Sequence, residues 1–254
     1  MRIVNKKIVV MFSLMVVLFG VAACGTANQG ASGDSIFSST TAVSFEGVIA
    51  GTNDVEGQTG ALSVTVPATV AQISPFLFIR TAEAQSPVTV TGTLSPAGGG
   101  TVDLGGTYNP ATGALDLTGD GGYTFTGTIT DDGLMSGDYS GTDADTGGGF
   151  AGLDSTTNSV QVFCGTFEHG SDNSSGLFNL VVTDSVVSGV RVNYSSRVLY
   201  RTLSGTRTGN TIDAVVDDNG RRGHGLITGD TIAGTFENKQ GNQGTFEGSV
   251  GACL

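Results

Sequence analysis

Two histidines, three cysteines and 23 acidic side chains are the groups of this 254-residue chain best suited to chemistry. His169 sits in the run Glu168-His-Gly-Ser171-Asp172, which holds the residue types of a nucleophilic triad. Sequence neighbours rarely reach triad geometry, so the run reads as a solvent-facing loop. His224, within Arg221-Arg222-Gly-His-Gly225, reads as solvent-facing beside a turn. Asp143 with Asp145, and Asp116 with Asp120, could offer oxygens to calcium, a hard ion. No segment completes an EF-hand or a Gly-Gly-x-Gly-x-Asp repeat, and Asx turns account for these aspartates. A zinc site from Cys164, Cys253, His169 and His224 lacks paired ligand spacing. The hydrolase elbow Gly-x-Ser-x-Gly, Ser-x-x-Lys, His-Glu-x-x-His and the phosphate loop are all absent. No metal, cofactor or catalytic residue is therefore expected. A carboxylate-based glycan hydrolase stays as an alternative, requiring two facing acids about 5–10 Å apart in a cleft.

The elements that would position these groups are strands. Glycine supplies 41 residues, charged residues only 13%, and Val, Ile, Leu and Phe alternate with polar residues between glycine-rich turns. Short alternating runs with frequent turns describe an all-β sandwich or barrel. In the second half strands are expected near 160–168, 175–183, 186–193, 197–205, 210–216, 222–228, 231–237 and 243–250. Asp184-Ser185 and Gly229-Asp230 read as two-residue hairpin turns, and Asp218-Asn219-Gly220 tolerates positive φ. In the first half strands are expected near 43–50, 60–66, 87–94, 101–108, 113–118, 122–130, 133–140 and 147–153. Asn109-Pro110-Ala-Thr-Gly113 and Asp131-Asp132-Gly133 mark turns there. Residues 67–86 break the rhythm with the apolar run Ile73 to Ile79, readable as a plug, a short covering helix, a partner patch or a core segment.

The halves also repeat. Leu104-Gly-Gly-Thr107 corresponds to Leu203-Ser-Gly-Thr206, and Leu115-Asp116 to Ile212-Asp213. Ile129-Thr130 then corresponds to Ile227-Thr228, Met135-Ser-Gly137 to Ile232-Ala-Gly234, and Phe150-Ala-Gly152 to Phe246-Glu-Gly248. Two related antiparallel meanders are expected, 43–155 and 159–254, each a barrel or sandwich-like unit. Inside strands, Ile232, Gly234 and Phe236 share one face, as do Phe246, Gly248 and Val250. Glycine there would relieve crowding by phenylalanine.

A basic start (Arg2, Lys6, Lys7), an apolar run from Ile8 to Ala23 and small residues at its end read as a secretory signal over 1–23. The run is short for a spanning helix, which needs about 20 apolar residues. Val21-Ala22-Ala23-Cys24 resembles the lipobox of bacterial lipoproteins. The resemblance implies that Cys24 becomes the first mature residue and carries lipid, with two or more chains anchoring stably. Gly25, in place of an aspartate, implies the outer membrane by the same resemblance. Residues 24–42 then form a small, polar tether. With Cys24 acylated, Cys164 and Cys253 remain, and outside the cytoplasm they most simply pair. The sequons at Asn173 and Asn193 carry no weight in a bacterial chain.

Removal of the leader takes the formal charge from −12 to −15, because its only charges are Arg2, Lys6 and Lys7. Such a surface excludes nucleic acid as a partner. No Lys or Arg occurs between Thr81 and Val190, and six Arg follow between Arg191 and Arg222. That asymmetry reads either as a bipolar binding surface or as two solvated faces. An eight-strand meander closing on itself would bring the strand of Cys164 beside the chain end at Cys253, and a disulfide there would fasten the seam.

The meander resembles lipocalins and avidin-type barrels, which bind small ligands inside, although the Gly-x-Trp start of lipocalins is missing. The motifs Gly-Gly-Thr-Tyr108-Asn-Pro-Ala-Thr-Gly113, Tyr123-Thr-Phe-Thr-Gly127 and Ser136-Gly-Asp-Tyr139 are similar to glycine-rich repeats of bacterial surface lipoproteins, from which no activity transfers. The expectation is a lipid-anchored, non-catalytic binding or structural module of the cell envelope. Its partner would be a small apolar ligand, an envelope protein or a glycan. A lipocalin-like carrier and a protease-inhibitor barrel stand as alternatives.

Overall fold

The computed structural model describes residues 42–52, 59–67, 86–141, 147–170, 175–194, 200–217, 220–237, 241–251 and 253. The expected leader, Cys24 and the tether therefore lie outside the described residues, apart from Ala42. So do residues 68–85, with the apolar run Ile73–Ile79, as well as Asp143 and Asp145.

The chain folds as two closed eight-stranded antiparallel barrels, each a simple meander. The first comprises β1 (Val43–Gly51), β2 (Thr59–Val66), β3 (Val88–Pro96), β4 (Val102–Asn109), β5 (Ala114–Gly119), β6 (Thr124–Ile129), β7 (Leu134–Ser140) and β8 (Gly147–Asp154). The second comprises β9 (Gln161–His169), β10 (Ser175–Val182), β11 (Val186–Asn193), β12 (Tyr200–Thr208), β13 (Thr211–Asp217), β14 (Arg222–Thr228), β15 (Thr231–Glu237) and β16 (Gln243–Val250). Strands β1 and β8 pair to close the first barrel, and β9 and β16 close the second. The all-β meander is thus observed, with barrels rather than sandwiches. Closure leaves no edge strand to pair with another chain.

Turn chemistry makes the meander. Gly113, Gly133, Gly220 and Gly229 all have positive φ, between 59° and 79°, at the turns expected there. Thr183 and Val186 are bonded across Asp184-Ser185. One strand departs from expectation. β12 runs to Thr208 instead of ending at 205, because Ser204-Gly205-Thr206 is accommodated as a register shift against β13. Those residue types suit a turn, but here they form an irregularity inside a strand.

Alternation decides what lies inside. Phe45, Ile49, Leu62, Leu94, Leu117, Phe125, Met135 and Phe150 belong to the core of the first barrel, while Thr91, Asp103, Asp116, Thr126 and Asp138 are exposed outside. Phe163, Phe167, Phe178, Leu180, Ile212, Ile232 and Phe246 fill the second. Eight strands leave an interior just wide enough for side chains to fill. Apolar inside and polar outside is the reverse of the pattern that faces lipid in a membrane-spanning barrel. No helix among the described residues is long and apolar enough to cross a membrane.

Strand glycines make room for the phenyl rings. A Cβ on Gly234 would lie 2.7 Å from Phe246 Cζ and 2.6 Å from Gly225 Cα. A side chain there would collide with both the ring and the neighbouring strand, so the ring crosses over bare backbone.

The barrels also pack against each other. Ala50 and Ala151 of the first meet Val190 and Val192 of the second, with the Tyr200 ring alongside. Val48 and Leu153 meet Val181, with Val160, Val162 and Cys253 at the margin. Asn179, 1% exposed, donates its Nδ2 to the Ile49 carbonyl at 2.7 Å across this contact. The strands concerned (β1, β8, β10, β11) are buried on both faces, which is why their sequences run apolar without alternation.

Candidate functional site

The two remaining cysteines come together. Cys164 in β9 and Cys253, just past β16, are disulfide-bonded with their Cα atoms 4.9 Å apart. Strands β9 and β16 are hydrogen-bonded neighbours, so the bond fastens the strand pair that closes the second barrel. Cys164 is buried on the outer side of its strand, opposite in parity to Phe163 in the core.

Glu168 and His169 lie on opposite faces of β9. His169 is the last residue of β9 and only 2% exposed, which corrects the expectation of a solvent-facing loop. It shares parity with Phe163 and Phe167, so the barrel interior claims it, and its ring lies 5.7 Å from that of Phe236. Glu168, one residue earlier, is exposed on the opposite face. Ser171 and Asp172 lie outside the described residues. An open depression of about 510 Å³ runs past Glu168, His169, Ser175 and Thr245 at this end.

His224 is exposed, as expected, but it projects from strand β14. Its Nδ1 lies 2.9 Å from Asp213 Oδ1, with side chains 68% and 51% exposed. An exposed pair of this kind contributes little. Asp116 and Asp120 are both exposed, and among the described residues no group of three or more metal-type side chains forms.

Among the described residues, three groups titrate away from their ordinary ranges. Burial holds the Glu46 carboxyl above the usual carboxylate range, and a hydrogen bond from Ser63 Oγ at 3.2 Å partly offsets it. Burial raises the Tyr108 hydroxyl, with Asp131 adding to the effect. The Tyr139 hydroxyl is pushed up by burial and, secondarily, by Tyr123. Tyr108 and Asp131 border an open depression of about 340 Å³ at one end of the first barrel.

The most unusual arrangement lies at the same end of the second barrel as His169, around the Phe236 ring. Arg191, only 9% exposed, has its guanidinium carbon 5.8 Å from the centre of the Phe167 ring. Arg221 stands 6.0 Å from the centre of the Phe236 ring. Both line a cavity of about 60 Å³, together with Gly223, Leu203 and Phe246. Arg201 is the cross-strand partner of Arg191 and shares the inward parity of Leu203. By sequence alone these arginines read as surface charges. The parity of Arg191 with Val187 and of Arg201 with Leu203 is the signal that these two point inward. No protein-family model matches this chain, and no curated protein matches it either.

Proposed function

We propose that this chain is a lipid-anchored cell-envelope protein whose double barrel acts as a non-catalytic binding or structural module. Export would follow the leader 1–23, acylation would fall on Cys24, and residues 24–42 would tether the barrels to the outer membrane. The observation that carries the module reading is that both barrels are packed with their own side chains. A carrier of the lipocalin kind needs a pocket of roughly 300–1,000 Å³ for a drug-sized ligand. The half-open cavity lined by Phe178 and Phe246 is about 60 Å³. The apolar contact between the barrels adds to the picture of a rigid block presenting surfaces and ends. An enzyme built on carboxylates would require two acids facing each other. Glu46, which is half-buried, faces the Ser63 hydroxyl.

Metabolic labelling with an alkynyl fatty acid tests the anchor. Label is expected on the wild-type chain in the membrane fraction and not on Cys24→Ala. An unlabelled wild-type chain in the cytosol would overturn the proposal.

A further inference from the structure

The contact between the barrels joins two unlike faces. Strands β1 and β8 of the first barrel lie against β10, β11 and β12 of the second. The internal repeat shows what each face becomes in the other barrel. Gly47 pairs with Gly152 where the first barrel closes, and Gly165 pairs with Gly248 where the second does. On that register β1 matches β9 and β8 matches β16, residue for residue. Val64 pairs with Gly92 and Leu180 with Gly189, so β2 and β3 match β10 and β11 in the same way. A contact between unlike faces is heterologous and leaves each barrel with one of the two faces free. Repeating it would add copy to copy, into a ring or an open filament.

The free faces differ chemically from the joined ones. Val48, Ala50, Ala151 and Leu153 are buried in the contact. Their counterparts on the second barrel are Thr166, Glu168, Glu247 and Ser249, the first three exposed. Gly149 lies under the Tyr200 ring with no room for a Cβ, and its counterpart is Thr245. On the other side Val181, Val190 and Val192 are buried, and their counterparts on the first barrel are Thr65, Thr93 and Ser95. Thr101 stands in the place of Tyr200, because Leu94 pairs with Val102 as Arg191 does with Arg201. Asn179 bonds across the contact to the Ile49 carbonyl, whereas its counterpart Ser63 turns its hydroxyl to Glu46 of its own barrel. Each apolar residue named in the contact thus has a polar one at the same place on the free face. Barrel closure does not require the difference, since these positions point outward.

We propose that Glu168, Thr245 and Glu247 confine docking to the barrel of the same chain, by excluding the equivalent face of a second copy. Docking of a second copy would bury both carboxylates against Thr65, Thr93 and Ser95. Among the described residues of the first barrel there is no Lys or Arg to pair with them. A carboxylate buried without a cation is strongly unfavourable. Setting an unpaired charge against the wrong partner is a direct source of specificity. This goes beyond the envelope reading above and does not depend on acylation of Cys24.

The test is the protein mass of the full-length chain in excess neutral detergent, read by size-exclusion chromatography with multi-angle light scattering. The wild-type chain is expected to be monomeric. Thr166→Val/Glu168→Ala/Thr245→Gly/Glu247→Ala/Ser249→Leu copies the joined face of the first barrel onto the second. Ser63→Asn/Thr65→Val/Thr93→Val/Ser95→Val/Thr101→Tyr copies the joined face of the second onto the first. Each variant alone is expected to stay monomeric, and their equimolar mixture to double in protein mass at micromolar concentration. Keeping Glu168 and Glu247 in the first variant is expected to weaken that association at least tenfold. Should these variants not fold, Ala50→Glu/Ala151→Glu tests the same incompatibility from inside the contact. Amide hydrogen exchange is then expected to quicken at least tenfold in β1, β8, β10 and β11, with β5 and β14 unchanged. A self-associating wild-type chain, a folded mixture that stays monomeric, an association indifferent to the two glutamates, or an unchanged exchange pattern would overturn the proposal.

Discussion

Removing the Cys164–Cys253 bond is expected to loosen the second barrel far more than the first. The bond spans 89 residues, from the first strand of that barrel to just past its last. In the loop-entropy treatment a cross-link over such a span contributes about 4.5 kcal/mol by restricting the unfolded chain. The first barrel is closed by β1 and β8, outside the cross-linked loop, and gains nothing directly. Guanidinium unfolding followed by far-ultraviolet circular dichroism reads the effect. The oxidised chain is expected to unfold at a higher midpoint than either the reduced chain or Cys164→Ser/Cys253→Ser. The reduced arm matters because a serine hydroxyl at the buried Cys164 position carries its own cost. Agreement of both arms within about 1 kcal/mol assigns the loss to the cross-link. A loss below about 1.5 kcal/mol in both arms would refute the reasoning, since the closing strands would then hold without the staple.

Three further perturbations probe the packing. Phe150→Ala empties a fully buried ring position in the first barrel and should cost about 3–5 kcal/mol in the same unfolding assay. Asn179→Leu removes the donor to the Ile49 carbonyl between the barrels, with an expected loss of about 1–3 kcal/mol. Hydrogen exchange should show that loss in β1 as well as in β10. Glu46→Gln tests the carboxyl that burial holds above the usual carboxylate range. The folded state there binds more protons than the unfolded one, so wild-type stability falls as pH rises through the window just above 4.5. Glu46→Gln should therefore be the more stable protein at neutral pH, with the advantage vanishing in acid. A pH-independent difference would contradict it.

Much of the fold was legible because two signals coincided: apolar alternation with period two, and glycine at the turns. The sixteen strands could be placed that way to within about three residues, and the two-residue turns at Asp184-Ser185 and Gly229-Asp230 follow from their residue types. Strand β12 was harder, since Ser204-Gly205 carries turn chemistry inside a bulged strand. His169 was misread for a related reason. Its neighbours Gly170 and Ser171 suggest a loop, while its parity with Phe163, Gly165 and Phe167 puts it inside. The contact between barrels left a trace in runs such as Leu180-Val181-Val182, apolar on both faces. Alternation alone does not say what covers such a second face. The inward arginines were the least visible part. A cluster of basic residues in sequence looks like a solvated face until cross-strand register shows Arg191 opposite Arg201.

Intact mass spectrometry of the chain extracted from its membrane fraction tests the central claim most directly. The account predicts a mature protein beginning at Cys24, heavier by a diacylglyceryl group and an amide-linked acyl chain, and lighter by the two hydrogens lost in joining Cys164 to Cys253. A chain retaining residues 1–23, or one cut at Cys24 with no added lipid and both thiols free, would contradict it.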